Sequence, residues 1–254
     1  MEQMAGFFWD RGGYTVNQDS AAYEQVILRR HMISMIVVAD GIGSLNEGET
    51  ASGIVTGRTV RWFYTEGAYL MIRSRATHLV HRSIERLLFS IHGDLERCAQ
   101  RIGGQLGTTY TVLLVTGRKY FCAHIGDSRC MLVNERNRFV DWIRSGRQGH
   151  ETLGRWITTD DVMEGNLLTK CVGSMKLFDP QWITGKIGVF DKHVRFLVCS
   201  DGFYRKTGGN MIADAFSSRS MRTQTQIERS MKTISKTARK YGENDNITAV
   251  CLIM

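Results

Sequence analysis

Proline is nearly absent from this sequence. The 254 residues contain only Pro180, and no stretch is rich in serine, glycine and proline together. Linkers between domains usually have that composition, so its absence argues against a division of the chain. Internal repeats and low-complexity tracts are missing as well. We therefore predict one domain over residues 1–254.

Long apolar runs are also absent. The longest candidate, Met32 to Ala39, contains Ser34 and stops at Asp40, far short of the ~18 residues that a membrane span needs. The first residues, MEQMAGFFWDRGG, lack the basic segment and apolar core that mark a signal peptide. Six cysteines occur singly, with no C-x-x-C pair, which is typical of reduced thiols. We expect a cytoplasmic protein that does not bind a membrane.

An excess of acidic residues is absent too, since the formal net charge is +8. Part of the positive charge is local: residues 219–240 carry seven basic side chains and one acid. Ile227, Met231, Ile234 and Ala238 recur there at helical spacing, which predicts an amphipathic helix with its basic face in solvent. No aromatic side chain is interleaved to stack on bases. We therefore favour a solvated helix over a nucleic-acid-binding surface and expect no nucleic-acid partner.

The sequence does contain a series of strand-like runs and three helical patterns. Short turns such as TGRK and NERN separate several of the runs, which favours antiparallel pairing. The helical patterns run from after Asn46 to about Tyr64, through Leu79–Leu95, and over 225–240. Helices grouped against an antiparallel sheet give an α+β fold. The predicted strands are Met32–Asp40, Thr108–Thr116, Lys119–Ile125, Cys130–Asn134, Arg138–Ile143, Val194–Ser200 and Asn246–Ile253.

The segment VVADGIGSLNEGETAS, residues 37–52, ends an apolar run on a carboxylate, Asp40, and then presents Gly41 and Gly43. Asp-Gly pairs turn the chain readily, so a simple turn explains the pattern. A metal site explains it as well, because an aspartate that ends a buried strand is held rigidly. A following glycine also lets its own carbonyl approach a cation. This segment alone leaves both interpretations open.

Four further acids occupy comparable places. Asp127 and Asp201 end apolar runs, Asp245 precedes the last strand-like run, and Asp19 lies near the start of the chain. Carboxylates brought together repel one another unless a cation holds them. With no histidine or cysteine at metal-binding spacing, an all-oxygen ligand set indicates Mg²⁺ or Mn²⁺. Two such ions commonly serve phosphate ester hydrolysis, because they acidify a water and neutralise phosphoryl oxygens.

Taken in order, segments along nearly the whole chain resemble the metal-dependent protein phosphatase family of type 2C, in a compact, single-domain, bacterial-like form. Each segment is short, but their order and spacing together are specific. The resemblance implies a four-layer α-β-β-α sandwich, with two antiparallel sheets face to face and helix pairs outside. It also implies hydrolysis of phosphoserine and phosphothreonine on proteins. The matching segments are NQDS (17–20), ADGIG (39–43), GETAS (48–52), GTT (107–109), AHIGDSR (123–129), NLLTKCVGS (166–174), CSDG (199–202) and DNIT (245–248).

The resemblance also implies roles for individual residues. Asp40 would bridge two Mn²⁺ or Mg²⁺ ions, Gly41 would offer its carbonyl to one of them, and Asp127 would help to hold a weaker third ion. Asp19 would hydrogen-bond waters on the metals and count with Asp40 as catalytic. The implied partners are a phosphorylated protein substrate and a serine/threonine kinase or its targets, and the enzyme is expected to be a monomer. The full set of implied metal ligands is Asp40, Gly41, Asp201, Asp245 and Asp127.

The match departs from the family near the start of the chain. The family usually has an arginine five residues before the acid matched by Asp19, where it grips the substrate phosphate, and here that position is Tyr14. Arg11 lies nearby and is the candidate phosphate-binding residue. The stretch between Arg129 and Asn166 is shorter than in the family. It is poor in apolar residues at 144–152, where the family has a mobile flap.

Two other classes of function compete with this interpretation. Cys199–Arg205 and Cys130–Arg136 both fit C-x₅-R, the loop of cysteine-dependent phosphatases. The first lacks a preceding histidine to activate the thiol and contains Asp201, whose charge would repel phosphate, and the second has no glycine. The other alternative is a weak or inactive pseudophosphatase that binds a phosphoprotein or a kinase, suggested by the missing arginine at Tyr14. The retained carboxylates argue against it, because clustered acids without a cation would destabilise the fold.

Overall fold

The computed structural model describes residues 3–42, 47–73, 77–134, 139–141, 150–164, 167–174, 179–189, 191, 193–217, 221 and 223–254. Two five-stranded antiparallel sheets form its centre, and three two-stranded ladders flank them. The strands in chain order are β1 (Met4–Asp10), β2 (Asp19–Leu28), β3 (His31–Asp40), β4 (Gly107–Thr108), β5 (Tyr110–Thr116), β6 (Lys119–Ile125), β7 (Arg129–Val133), β8 (Phe139–Asp141), β9 (His150–Thr152), β10 (Gly154–Trp156), β11 (Val162–Met163), β12 (Leu167–Leu168), β13 (Val172–Gly173), β14 (Gln181–Lys186), β15 (Arg195–Cys199) and β16 (Ile247–Ile253).

The two large sheets are built from strands that are far apart in the chain. The first sheet has the order β1-β16-β15-β7-β10, and the second has the order β14-β6-β5-β3-β2. A two-residue hairpin joins β2 to β3, with Arg29 and Arg30 both in the left-handed region (φ 48° and 68°), as such hairpins require. This hairpin fixes the register that sets Asp19 opposite Asp40.

The sheets pack face to face over a shared apolar layer. Ile36 and Val38 from β3 meet Phe196 from β15 and Val250 and Leu252 from β16 in one buried cluster. Because successive side chains of a strand point to opposite faces, the alternate residues of each strand face the helices instead. Strands buried on both faces read as continuous apolar runs, which is why the sequence revealed them.

Helices cover the outer face of each sheet. α1 and α3 pack on the second sheet, and α5 and α6 pack on the first. The result is the predicted four-layer α-β-β-α sandwich of the α+β class. No helix within the described ranges is long and apolar enough to cross a membrane. The helices are α1 (Gly48–Trp62), which continues through a π-helical turn (Phe63–Gly67) into α2 (Ala68–Ile72), then α3 (Thr77–Ile102), α4 (Asp201–Tyr204), α5 (Gly209–Phe216) and α6 (Gln224–Lys240).

Helix α6 has the amphipathic character predicted for the basic segment. Thr223 and Gln226 form a reciprocal capping box at its start. Ile227, Met231 and Ile234 are buried against the first sheet. Arg229, Lys232, Lys236 and Lys240 are exposed on the outer surface of this core helix, whereas Arg219 and Arg222 lie outside the described residues.

Most predicted strands agree with the structure at their ends. β6 has the predicted bounds, β3 and β16 differ from prediction by one residue at one end, and β7 and β15 differ by one residue at each end. The predicted run Thr108–Thr116 is divided at Thr109, where the backbone leaves the strand to bond Asp40. The prediction Arg138–Ile143 corresponds to β8, with its outer residues outside the described ranges. Most of the predicted flap at 144–152, and Gly43, also lie outside them.

Candidate metal centre

Asp40 and Asp19 lie side by side at the ends of neighbouring strands. β2 and β3 pair in a register that sets the two residues opposite each other. On the other side of Asp40, its backbone N–H donates to Thr109 Oγ1 at 2.9 Å. Its carbonyl accepts from the Thr109 N–H, also at 2.9 Å. Pairing with β2 on one side and the two bonds to Thr109 on the other thus fix the backbone of Asp40.

Two glycines beside the acids allow close backbone packing. A Cβ atom on Gly41 would lie 2.3 Å from the carbonyl oxygen of Gly48, at the start of α1. A Cβ atom on Gly202 would lie 2.2 Å from the carbonyl oxygen of Asn246. No side chain fits at either place without moving the backbone. The Asp-Gly pairs therefore do more than turn the chain, and the Gly41 carbonyl stays a predicted ligand.

Asp201 and Asp245 reach the same region from the first sheet. Asp201 begins α4 just after β15, and Asp245 lies just before β16. β15 and β16 are antiparallel neighbours, so the end of one meets the start of the other. Ser200 links the two sheets here, because its hydroxyl donates to Asp19 Oδ2 at 2.8 Å. The acids of both sheets consequently gather at one end of the sandwich.

Asp127 is the fifth acid and follows β6 in the second sheet. Its carbonyl accepts a hydrogen bond from the Tyr204 hydroxyl at 2.8 Å. Arg129 forms a bidentate pair with Asp160, at 2.7 and 2.6 Å, and lies over the Tyr204 ring at 3.8 Å from its centroid. These contacts hold the turn that carries Asp127 against α4.

The other four acids all act electrostatically on Asp40, so the fold does bring them together. Burial, and then the charges of Asp19, Asp201, Asp127 and Asp245, raise the pKa of Asp40 well above its usual value. Burial raises the pKa of Asp19 to about 6 and that of Asp127 to about 6. Burial, with Asp127 as the first neighbouring charge, raises the pKa of Asp201 to about 8. Each shift reports a carboxylate that is costly to ionise without a nearby cation.

Two carboxylate oxygens in the centre are orphaned. Asp19 Oδ1 and Asp201 Oδ1 are buried without a hydrogen-bond partner. A buried, unpartnered carboxylate oxygen is unfavourable unless a cation or a water meets it. Because the donors are all oxygens, these residues fit a hard divalent cation such as Mn²⁺ or Mg²⁺. Nevertheless, among the residues that the structure describes, no three acidic, histidine or cysteine side chains converge closely enough to hold one ion.

Arg205 lies among these acids, a placement that we did not predict. Its Nη1 donates to Asp201 Oδ2 at 2.7 Å, and its Nη2 donates to Asp245 Oδ2 at 2.8 Å. Its Nε and Nη2 also bond the two oxygens of Glu243, each at 3.1 Å. Burial alone would raise the pKa of Glu243, but the hydrogen bonds from Arg205 bring it below its usual value. The sequence did contain a signal for this contact, because Arg205 follows Asp201 by four residues and residues four apart in a helix share a face.

The candidate phosphate-binding residues lie in an exposed loop between β1 and β2. Asn246 Nδ2 donates to the Arg11 carbonyl at 2.7 Å, and the Gly13 N–H donates to the Asn244 carbonyl at 2.9 Å. The loop is thus attached to the segment that carries Asp245. The side chains of Arg11 and Tyr14 are exposed, and Arg11 bonds only weakly within its own loop, to Thr15 at 3.4 Å. The loop that carries both residues is therefore fixed next to Asp245, and neither residue is selected by a contact with the acids among the described residues.

The cysteines of the two C-x₅-R segments are buried in the sheets. Burial raises the pKa of Cys199 and Cys130 well above the usual thiol value. A thiol that stays protonated at neutral pH is a poor nucleophile. Arg136 lies outside the described ranges. The buried, protonated thiols agree with the sequence argument against a cysteine-dependent phosphatase.

The chain matches the family described as protein phosphatase 2C over residues 11–250. It is 27% identical over 247 residues to the protein phosphatase PhpP of Streptococcus pneumoniae, a match that covers 94% of this chain and 92% of the relative. Its fold is similar to that of the serine/threonine phosphatase Stp1 of Staphylococcus aureus, with a TM-score of 0.76, 22% identity, and coverage of 100% of this chain and 96% of that one. It is also similar to the catalytic domain of the serine/threonine protein phosphatase PstP in complex with two manganese ions, with a TM-score of 0.69, 21% identity, and coverage of 99% and 97%.

The layered fold and the cluster of acids define a phosphatase of the metal-dependent kind. The chain belongs to the protein phosphatase 2C family. It is a protein serine/threonine phosphatase, a hydrolase whose substrates are phosphoproteins, and phosphatases of this family use Mn²⁺ or Mg²⁺. The family, fold class, activity and cofactors predicted from the sequence are thereby confirmed. The comparisons give no support to the pseudophosphatase alternative, and the roles of individual residues stay predictions.

Proposed function

We propose that the five-acid centre is the place where this phosphatase hydrolyses phosphoserine and phosphothreonine monoesters. The observation that supports the assignment is the convergence of the acids: Asp40 is partly buried, and burial together with the charges of four other aspartates raises its pKa. Such mutual repulsion is relieved when divalent cations bind. The orphaned oxygens of Asp19 and Asp201 give the same indication.

The proposed ligands of the cations are Asp40, the Gly41 carbonyl, Asp201 and Asp245, with Asp127 serving a weaker additional ion. Bound Mn²⁺ or Mg²⁺ lowers the pKa of water and neutralises charge on phosphoryl oxygens. The contribution of the chain is to hold these ligands in place before the substrate arrives. For Asp40 that support is the pair of backbone bonds to Thr109.

Asp19 is proposed to orient water within the centre. Ser200 occupies its Oδ2, whereas its Oδ1 is buried without a partner. A carboxylate with one fixed oxygen and one open oxygen accepts a hydrogen bond from water in a defined direction. Burial raises the pKa of Asp19 to about 6, so a nearby cation also helps to keep it ionised.

An assay with p-nitrophenyl phosphate in Mn²⁺, Mg²⁺ or chelator tests the metal chemistry. A panel of phosphoserine, phosphothreonine and phosphotyrosine peptides then tests the substrate class. We expect turnover only with added metal and a preference for the first two peptide types. Full turnover in excess chelator, by protein shown to contain no bound metal, would contradict the proposed centre.

We further propose that the enzyme is a cytoplasmic monomer that acts on a serine/threonine kinase or on its targets. All six cysteines are free, which suits a reducing compartment. The two large sheets share one buried layer, which supports a single domain over residues 1–254. Light scattering of the purified protein at micromolar concentration tests the monomer, and a dimer mass would contradict it.

A further inference from the structure

Arg205 holds the two carboxylates that the proposed cations need from the first sheet. Its guanidinium bonds Asp201 Oδ2 at 2.7 Å and Asp245 Oδ2 at 2.8 Å. A guanidinium is permanently charged and offers donors in a planar fork that matches carboxylates. A positive side chain therefore already neutralises part of the charge that would attract a metal ion.

Glu243 provides Arg205 with a partner that lies outside the predicted ligand set. Both of its oxygens accept from Arg205, and its side chain is nearly buried. The backbone N–H groups of Asn244 and Asp245 also donate to Glu243 Oε1, at 3.0 and 3.1 Å. This anchor keeps the guanidinium beside the centre even when Asp201 and Asp245 bind something else.

We propose that Arg205 is an internal cation that competes with the metal for Asp201 and Asp245, and so lowers the metal affinity of the centre. The inference rests on the proposed metal centre. A dication that binds Asp201 and Asp245 must either break their bonds to Arg205 or accept a positive charge close by, and both weaken binding. While the metal is absent, Arg205 relieves the repulsion among the acids and stabilises the fold.

This competition also accounts for the incomplete ligand geometry. The described acids do not converge closely enough for three of them to hold one ion. Two of the predicted ligands are instead directed toward Arg205. Asp201 still keeps its buried Oδ1 without a partner. Arg205 therefore occupies one side of the centre, and a buried carboxylate oxygen of Asp201 is left without a hydrogen-bond partner.

The test is the affinity for Mn²⁺ of wild type, Arg205→Gln and Arg205→Lys, measured by isothermal titration calorimetry after treatment with chelator. Arg205→Gln removes the competing charge, so its Kd should fall about tenfold or more, or about 1.4 kcal/mol. Its Tm in chelator should fall, whereas the rise in Tm caused by Mn²⁺ should be larger than in wild type. Arg205→Lys keeps the charge, so its Kd should stay within about threefold of wild type.

Arg58→Gln is the matched control. Arg58 is similarly exposed, at 38% against 35% for Arg205, and it pairs with Asp94 between two outer helices. Its loss should lower the Tm slightly, both with and without Mn²⁺, and leave the Kd unchanged. A purely structural role for Arg205 would produce the same result as this control.

An Arg205→Gln protein that binds Mn²⁺ no more tightly than wild type, or more weakly, overturns the competition while the metal centre stands. Asp40→Asn separates the two proposals, because it should weaken Mn²⁺ binding at the centre regardless of Arg205. If Asp40→Asn binds Mn²⁺ as wild type does, the centre is misplaced, and the inference about Arg205 is refuted with it.

Discussion

Asp19→Asn should stabilise the metal-free protein at neutral pH. Burial raises the pKa of Asp19 from 3.8 to about 6. As the pH rises through this interval, the carboxyl ionises in the unfolded chain but holds its proton in the folded one, so stability falls. A shift of about 2 units at about 1.36 kcal/mol each gives a cost of about 3 kcal/mol above pH 6. Asparagine avoids this cost, and its amide oxygen can still accept from Ser200.

Urea unfolding in chelator at pH 4.5 and pH 7.5 measures the effect. By proton linkage, Asp19→Asn should raise the free energy of unfolding above that of wild type by about 1 kcal/mol at pH 4.5 and by about 3 kcal/mol at pH 7.5. With saturating Mn²⁺ the wild type should be more stable than Asp19→Asn. The cation favours the ionised wild-type carboxylate and stabilises the folded state that binds it.

Asp94→Asn is the control for this experiment. Asp94 pairs with Arg58 and Arg97 on the outer helices, away from the centre. Because Asp94→Asn removes these ion pairs, it should not stabilise the protein at either pH value. The reasoning is refuted if Asp19→Asn is no more stable than wild type in chelator at pH 7.5, or if its gain is the same at both pH values.

The remaining predictions concern turnover of p-nitrophenyl phosphate with saturating Mn²⁺. Asp40→Asn should lower kcat by roughly 10²-fold or more, because it removes charge from the proposed bridging position; near wild-type turnover would exclude that role. Cys199→Ser should keep most of the activity, since burial keeps this thiol protonated; an inactive but folded variant would revive a cysteine nucleophile. Tyr14→Arg should lower KM about tenfold, because a charged bidentate contact to phosphate is worth about 1.5–3 kcal/mol. If Arg11 already binds the phosphate, Arg11→Ala should raise KM sharply and Tyr14→Arg should lower KM only slightly. If neither variant changes KM, both assignments are wrong.

Most of the strands that the sequence predicted are buried on both faces. β3 and β16 are apolar along almost their whole length, so a short window of sequence is enough to find them. β1, β2 and β14 were missed, and each lies at the edge of a large sheet. Their side chains are only partly buried, and the hydrogen bonds of one neighbour define them as strands. Information of that kind is not present in the local sequence.

Four of the acids were found because each lies next to an apolar run, and Asp19 was found near the start of the chain. Their convergence is a property of the pairing: β2 runs antiparallel to β3, and β15 runs antiparallel to β16, so starts and ends of strands meet at one end of the sandwich. Spacing along the chain does not contain that information; the comparable places of the acids suggested it, and the resemblance to a known family implied the role of each residue. The same resemblance could not place the phosphate grip, because this chain departs from the family at Tyr14.

Arg205 shows a different limit of sequence reasoning. An arginine four residues after Asp201 can turn toward the acids or into solvent, and the helical spacing allows both. Glu243, 38 residues further along the chain, decides between them, because its two oxygens hold the guanidinium next to Asp201 and Asp245. Neither residue belongs to the segments that identify the family. In our proposal those segments supply the metal ligands, whereas the charge of Arg205 beside them sets the metal concentration at which hydrolysis begins. Two phosphatases with the same ligand segments can therefore respond to very different metal concentrations, and the residue at position 205 is where we expect that difference to arise.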